Sequence, residues 1–249
     1  MKITFIKGNE VKTIDDWKLY AAPKGKGKQW VEGRSAWCMA DFAINHPKQF
    51  QSMITDILKE CAIELQNFSC EPEAVAGLGK GMKSGGQRNH DLLMIGSMNC
   101  VIGIEAKVSE SFDEPFGKVY EKGGNKKARA YALKKFLTPE KDVDKIGYQL
   151  FTATRGSMVS AMKAGYTNAI LLIIVFEGKI KLNKGETEED YEQTIKKNDE
   201  DFVKFLKNVG ADGNGMIQRV IEGKTINCWI KKIKINIPTY LPAQNLRDR

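Results

Sequence analysis

The chain has 249 residues, 42% of them apolar and 28% charged, a composition that supports a packed core and argues against general disorder. Its 39 Lys and Arg residues exceed its 31 Asp and Glu residues, and the net charge of +8 favours a polyanionic partner. Seven of the basic residues are Arg and the rest are Lys, so the surface suits phosphate contact better than base recognition.

The five cysteines argue against a disulfide framework or a zinc site, because their number is odd and no CxxC pair is present. The longest apolar run covers the eight residues 169–176, whereas a membrane-spanning helix needs roughly 20. The N-terminal segment MKITFIKGNE lacks the apolar region of a signal peptide. The sequence therefore predicts a soluble cytoplasmic protein without a membrane partner.

The first half of the chain opens with a predicted basic N-terminal extension over residues 1–34, where eight basic residues outnumber four acidic ones and residues 25–28 form a loop. Apolar residues recur at steps of three and four from Pro47 to Gln66, which predicts an amphipathic helix. Strands are predicted over residues 73–80, 91–95 and 100–108, with turns at 83–86 and 97–99.

The second half alternates helices and strands, with a charged surface excursion predicted at residues 179–198. Helices are predicted near residues 126–136, over 145–164 and over 199–209, and strands over 168–176 and 225–237. The first of these strands is rich in Ile, Leu and Val, as central parallel strands are. Together the elements predict one α/β (α+β) domain over residues 1–249, with a central mixed β-sheet flanked by helices.

Two charged residues, Glu105 and Lys107, stand in the apolar strand predicted at residues 100–108. Strand periodicity places both on one face, where a charge is costly unless it is paired, solvated or metal-bound. The preceding turn would bring Asp91 close to Glu105, and paired carboxylates form the hard-oxygen site that Mg²⁺ prefers. The ammonium of Lys107 could then stabilise a phosphate, so the pattern predicts phosphodiester hydrolysis. The alternative is a structural salt bridge at a sheet end.

The spacing of these residues resembles that of the PD-(D/E)XK nuclease superfamily. His90-Asp91 is followed by thirteen residues and then by Glu105-Ala106-Lys107. The later run Asp113-Glu114-Pro115-Phe116-Gly117, together with residues 148–150, is similar to an uncharacterised bacterial family of such proteins. The resemblance covers about residues 34–210, and it implies a restriction-endonuclease-like core of αβββαβ order.

The activity that this resemblance implies is a nuclease that uses Mg²⁺, with Mn²⁺ as a substitute. One departure is His90, which stands where the superfamily places a proline and could line the site. The resemblance implies that Asp91, Glu105 and the carbonyl of Ala106 are metal ligands and that Lys107 is the catalytic lysine. It also implies that Gln149 contributes a polar group to the site. An acidic residue of the first helix would join them, and Glu60 is preferred to Glu64.

Two basic segments are candidates for nucleic-acid contact. Residues 77–84 could form a loop along a phosphate backbone or an ordinary hairpin turn. Residues 118–135, with seven basic residues and one acidic residue, could track phosphates or be a solvated helix face. The predicted contacts are Lys80, Lys83, Arg88, Lys126, Lys127 and Arg129. DNA is favoured over RNA, and a homodimer would suit cutting of both strands. The alternatives are a non-catalytic module that binds nucleic acid or protein, and an RNA nuclease.

Overall fold

Strands and helices alternate through the computed structural model, which describes residues 1–21, 30–80, 87–138, 142–177 and 187–236, without the side chains of residues 87 and 88. The strands are β1 (Ile3–Lys7), β2 (Asn9–Glu10), β3 (Phe68–Gly77), β4 (Gln87–Gly96), β5 (Cys100–Lys107), β6 (Asn168–Glu177), β7 (Met216–Ile221) and β8 (Lys224–Asn236). The helices are α1 (Ile14–Ala21), α2 (Ser35–Asn45), α3 (Pro47–Glu60), α4 (Phe116–Glu121), α5 (Gly124–Leu137), α6 (Tyr148–Lys163) and α7 (Glu188–Val209).

One mixed sheet runs through the described residues, in the strand order β1-β3-β4-β5-β6-β8-β7, and β2 pairs with the outer edge of β1. Strands β3, β4 and β5 are antiparallel, whereas β6 has parallel neighbours on both sides. This confirms the mixed α/β sheet and the central parallel strand. The order α3-β3-β4-β5-α6-β6 also follows the expected αβββαβ succession, with α4 and α5 placed between β5 and α6.

The sheet separates two hydrophobic cores. Alternate residues of β5 and β6, such as Ile104 and Ile174, pack with α1, α2 and α3 on one face. The intervening residues, such as Val101 and Ile173, pack with α4 to α7 on the other. Strand periodicity therefore decides which helix each side chain of β5 meets.

The N-terminal residues belong to the sheet and its core, which corrects the prediction of a basic extension over residues 1–34. Strand β1 pairs in parallel with β3. Trp17 of α1 is 1% exposed, and its ring centroid lies 5.8 Å from that of Phe5. The loop predicted at residues 25–28 and the turn predicted at 83–86 lie outside the described residues.

Helix α7 begins at Glu188, so residues 188–198 are helical, which corrects the predicted surface excursion over this part of residues 179–198. Thr187 and Asp190 form a reciprocal capping box at its start. The first half of α7 is mostly charged and solvent-facing, and this weakens the apolar period that would identify a helix. Residues 178–186 lie outside the described part of the chain.

All five cysteines are buried free thiols. Burial raises the pKa of Cys61 to about 11 and the pKa values of Cys38 and Cys228 to about 12. At pH 8 the native protein is therefore expected to resist a thiol reagent such as DTNB, and five thiols should react after unfolding. Rapid reaction of a thiol in the native protein would contradict this burial.

None of the helices in the described part of the chain combines the length and the apolar character needed to cross a membrane.

Candidate active site

Glu105 and Lys107 lie on the sheet face that α6 covers. In the parallel ladder, Glu105 pairs with Ile173 and Lys107 pairs with Val175, and both β6 side chains belong to the core beneath α6. Glu105 is 2% exposed and Lys107 is 8% exposed. The face predicted from strand periodicity is therefore confirmed, and both charges lie inside the protein.

Each carboxylate oxygen of Glu105 has its own partner. Nε2 of Gln149, in the first turn of α6, donates to Oε2 at 2.7 Å, and Nδ1 of His90 lies 2.9 Å from Oε1. The direction of this bond depends on the tautomer of His90; with Glu105 ionised, a group that only accepts, Nδ1 is the donor. The structure thus brings Gln149 to Glu105 and adds His90 on the opposite side.

His90 reaches this face because β3 and β4 change orientation together. Pro72 pairs with Leu92, whose side chain lies in the core of α1 to α3, yet Ala74, two residues further, lies in the core under α6 and pairs with His90. Glu73, between them, has a φ of +47°, in the left-handed region that non-glycine residues rarely adopt. This local irregularity turns His90 towards α6.

Asp91 lies where the β4–β5 ladder stops. The last paired residues are Leu92 and Ile104, and beyond them Oδ2 of Asp91 accepts a hydrogen bond from the backbone N–H of Ala106 at 2.6 Å. The N–H and C=O of a strand residue point to the same neighbouring strand, so the carbonyl of Ala106 also faces the gap beside Asp91. The structure therefore places Asp91 next to the peptide that follows Glu105.

Lys107 is 8% exposed as a residue, its Nζ is not among the fully buried polar atoms, and the described residues offer its ammonium no hydrogen bond or ion pair. Transfer of a charge from water into a protein interior is unfavourable unless a partner replaces the lost hydration. A salt bridge at the sheet end, the alternative raised by the sequence, is therefore absent for Lys107 among the described residues. An anionic or polar ligand at this face would supply the missing partner.

The start of α6 is fixed by hydrogen bonds from its backbone amides to two carbonyls, of Phe112 and Glu114, and to the side chain of Asp201 in α7. Its N-cap is Gly147, which has no capping side chain. The first amides are satisfied instead by Gly147 N to Asp201 Oδ2 at 3.2 Å, Tyr148 N to Glu114 O at 3.0 Å and Gln149 N to Phe112 O at 3.3 Å. These bonds position the turn that carries Gln149.

The profile of a family described as a domain of unknown function, DUF6946, matches residues 10–237. The chain belongs to this family. No curated protein and no solved structure shows a significant match to it. The matched range of this DUF6946 protein contains β3 to β8. It also contains the residues that we call the Glu105 cluster, namely His90, Asp91, Glu105, Ala106, Lys107 and Gln149.

Glu60 lies away from the cluster. It ends α3, which packs on the other face of the sheet, and its side chain is 58% exposed and 3.2 Å from Nζ of Lys231. The structure therefore does not bring Glu60 to the site, and the sequence could not reveal on which face α3 packs. Glu64 is also exposed.

The candidate nucleic-acid contacts of the DUF6946 protein occupy different surfaces. Lys80 is exposed, 3.9 Å from Glu222, near the end of the β3–β4 hairpin. Lys126 and Lys127 are exposed on α5, and Arg129 is half-buried beside Tyr148. Burial raises the pKa of Tyr148 to about 12, so its hydroxyl is neutral at physiological pH. Lys83 lies outside the described residues, and the side chain of Arg88 is not described.

The oxygen donors near Glu105 in this DUF6946 protein are of the type that hard cations prefer. Within the described residues there is no group of three or more His, Cys, Asp or Glu side chains suited to a metal ion. Mg²⁺, however, is held by one or two carboxylates and keeps several waters. Asp91, Glu105 and the carbonyl of Ala106 fit that pattern of hard oxygen donors.

Proposed function

We propose that this DUF6946 protein is a Mg²⁺-dependent nuclease that hydrolyses phosphodiester bonds, with DNA as its favoured substrate. The observation that carries the proposal is the ammonium of Lys107, which has no partner among the described residues and lies on the same sheet face as Glu105, one residue beyond the Ala106 amide that binds Asp91. A site built for stability would pair this lysine, whereas a site for an anionic substrate leaves it available.

Each side chain has a distinct task in this proposal. Asp91, Glu105 and the Ala106 carbonyl would hold the cation, which would supply Lewis-acid stabilisation of charge on the phosphoryl oxygens. Lys107, a donor-only group, orients the attacking water and stabilises the developing negative charge. Gln149 fixes the orientation of the Glu105 carboxylate through its 2.7 Å hydrogen bond.

Helix α5 supports a nucleic-acid substrate. Its fourteen residues include five basic and no acidic residues. Lys127, Tyr131 and Lys135, spaced by four, form one exposed row that we call the basic stripe, and none of them pairs with another described residue. Arg129, on a more buried face of α5, lies beside Tyr148, the neighbour of Gln149. Unpaired lysines with an exposed aromatic ring suit a polynucleotide backbone.

Replacement of Lys126, Lys127 and Lys135 by Ala is expected to weaken DNA binding and to reduce the slope of log affinity against log salt by about 0.9 for each lysine that contacts a phosphate. Fluorescence anisotropy of a labelled duplex across a salt series measures both quantities. The matched control is the triple change of the exposed residues Lys204, Lys207 and Lys224 to Ala, which removes the same charge elsewhere. If the two triple variants lose DNA affinity equally, α5 does not contact the DNA.

A cleavage panel tests the proposed activity. Purified protein is incubated with plasmid, linear duplex, single-stranded DNA and structured RNA, with Mg²⁺, with Mn²⁺ or with EDTA. Metal-dependent cleavage of DNA that disappears in Asp91→Asn supports the proposal. Cleavage of RNA alone would reassign the substrate, and salt-sensitive binding with no cleavage would favour a non-catalytic binding module. The five free thiols support action in the reducing cytoplasm.

A further inference from the structure

We infer that His90 is a positioning residue, which fixes the carboxylate of Glu105 for cation binding. The inference rests on the proposed function and adds to it a residue that lies outside the Asp–Glu–Lys pattern. His90 is fully buried, and its Nδ1 is 2.9 Å from Oε1 of Glu105. With Gln149 on Oε2, both oxygens of the carboxylate are held, so its plane cannot rotate freely.

The chain makes room for this imidazole at two glycines. A Cβ at Gly103, on β5, would lie 2.8 Å from Cε1 of His90 and would also overlap Oγ of Ser157. A Cβ at Gly156, on α6, would lie 3.0 Å from Nε2. The ring therefore sits in a notch between strand and helix that a larger residue at either position would close.

Stability alone does not explain a histidine at position 90. The described residues provide no hydrogen-bond partner for its buried Nε2, and an unsatisfied buried polar atom costs about 1–3 kcal/mol. An apolar side chain would fill the notch without this cost. The feature that an apolar side chain cannot reproduce is the hydrogen bond from Nδ1 to Glu105, and this points to orientation of the carboxylate.

Two substitutions separate orientation from packing. His90→Asn keeps a donor near the position of Nδ1 but loses volume, whereas His90→Leu keeps most of the volume but removes the donor. If His90 positions Glu105, the His90→Leu protein should bind Mn²⁺ about 10- to 100-fold more weakly than the wild type. The His90→Asn protein should lose no more than about threefold in affinity. A packing role gives the reverse order, since Asn leaves the larger cavity.

The measurement is the dissociation constant for Mn²⁺ by calorimetry, without nucleic acid, on variants whose folding is checked by circular dichroism. Ser157→Ala is the matched control in the same notch, because Ser157 Oγ donates to Ala153 O at 3.0 Å and makes no bond to Glu105. Glu105→Gln identifies the binding as that of this site.

The outcomes separate this inference from the proposed function. Weak binding by His90→Leu, with near wild-type binding by His90→Asn and Ser157→Ala, supports the inference. Wild-type affinity in His90→Leu overturns it and leaves the nuclease proposal intact. If His90→Leu does not fold, loss of Mn²⁺ binding in a folded His90→Asn protein overturns it. If the wild-type protein itself binds no Mn²⁺, the result contradicts both the inference and the proposed metal site.

Discussion

Replacement of Lys107 by Met is expected to reduce metal-dependent cleavage by about 10³-fold and to raise the free energy of unfolding by about 1 kcal/mol. The residue is 8% exposed, and its ammonium has no partner among the described residues, so folding removes part of its hydration without replacing it. Methionine keeps the apolar stem and removes that charge. Cleavage rates and urea unfolding of the same preparations measure the two effects.

The control for this change is Lys204→Met, which removes an exposed lysine that pairs with Glu200 on α7 at 3.4 Å. It is expected to leave cleavage unchanged and to alter stability by less than about 0.5 kcal/mol. A Lys107→Met protein with wild-type cleavage would exclude Lys107 from the catalytic step. Marked destabilisation by the same change would show that the folded protein compensates the ammonium.

Replacement of Gly147 by Ala is expected to lower the free energy of unfolding by about 3 kcal/mol and to reduce cleavage as well. A Cβ at this N-cap would overlap the carbonyl oxygen of Phe112 and lie 2.5 Å from Cβ of Phe112. The neighbouring atoms cannot easily retreat, because that carbonyl accepts from Gln149 N and the ring of Phe112 is 1% exposed. The start of α6, with Gln149, must therefore shift.

Gly213→Ala provides the comparison for this steric effect, since no atom lies within 4 Å of a Cβ placed there. Thermal and urea unfolding of the two variants should differ by most of the expected 3 kcal/mol. If both variants match the wild type, the contact between Phe112 and the start of α6 is looser than described. If Gly147→Ala loses stability but keeps full cleavage, the position of Gln149 has no influence on the reaction.

The placement of Glu105 and Lys107 could be predicted because the relevant physics is local. The period of two in an apolar strand fixes which residues share a face, and the short turn before β5 makes β4 its neighbour. The same local reasoning predicts Asp91 close to Glu105, and in the structure Asp91 accepts from the amide of the next residue, Ala106. The helical period of residues 145–164 likewise indicated α6, which brings Gln149 to Glu105.

The contacts that sequence reasoning missed depend on tertiary structure. His90 faces α6 where the backbone at Glu73 takes a positive φ, and the hydrophobic period of the strand does not indicate this change. Asp201 binds Gly147 N from 54 positions away, which no local spacing could indicate. Gly103 and Gly156 were the available signal, since glycine within a strand and within a helix marks close approach of another group.

The start of α7 could not be predicted from the sequence for a different reason. The Thr187–Asp190 capping box was readable in the sequence, but the helix that follows has few apolar residues in its first half. Its buried face begins near Asn198, where the predicted helix also began. The same lack of a strong period left β1 and α1 within a predicted extension, although Trp17 is buried in the core.

The assignment of Asp91, Glu105 and Lys107 as a nuclease site is tested most directly by one cleavage measurement. Wild-type, Asp91→Asn, Lys107→Met and the distant Glu60→Gln proteins are compared on DNA with Mg²⁺ under identical conditions. The expected result is cleavage by the wild type and by Glu60→Gln, with loss of about 10³-fold in the other two. Equal cleavage by all four proteins would contradict the assignment, and so would folded, DNA-binding wild-type protein that cleaves none of the substrates.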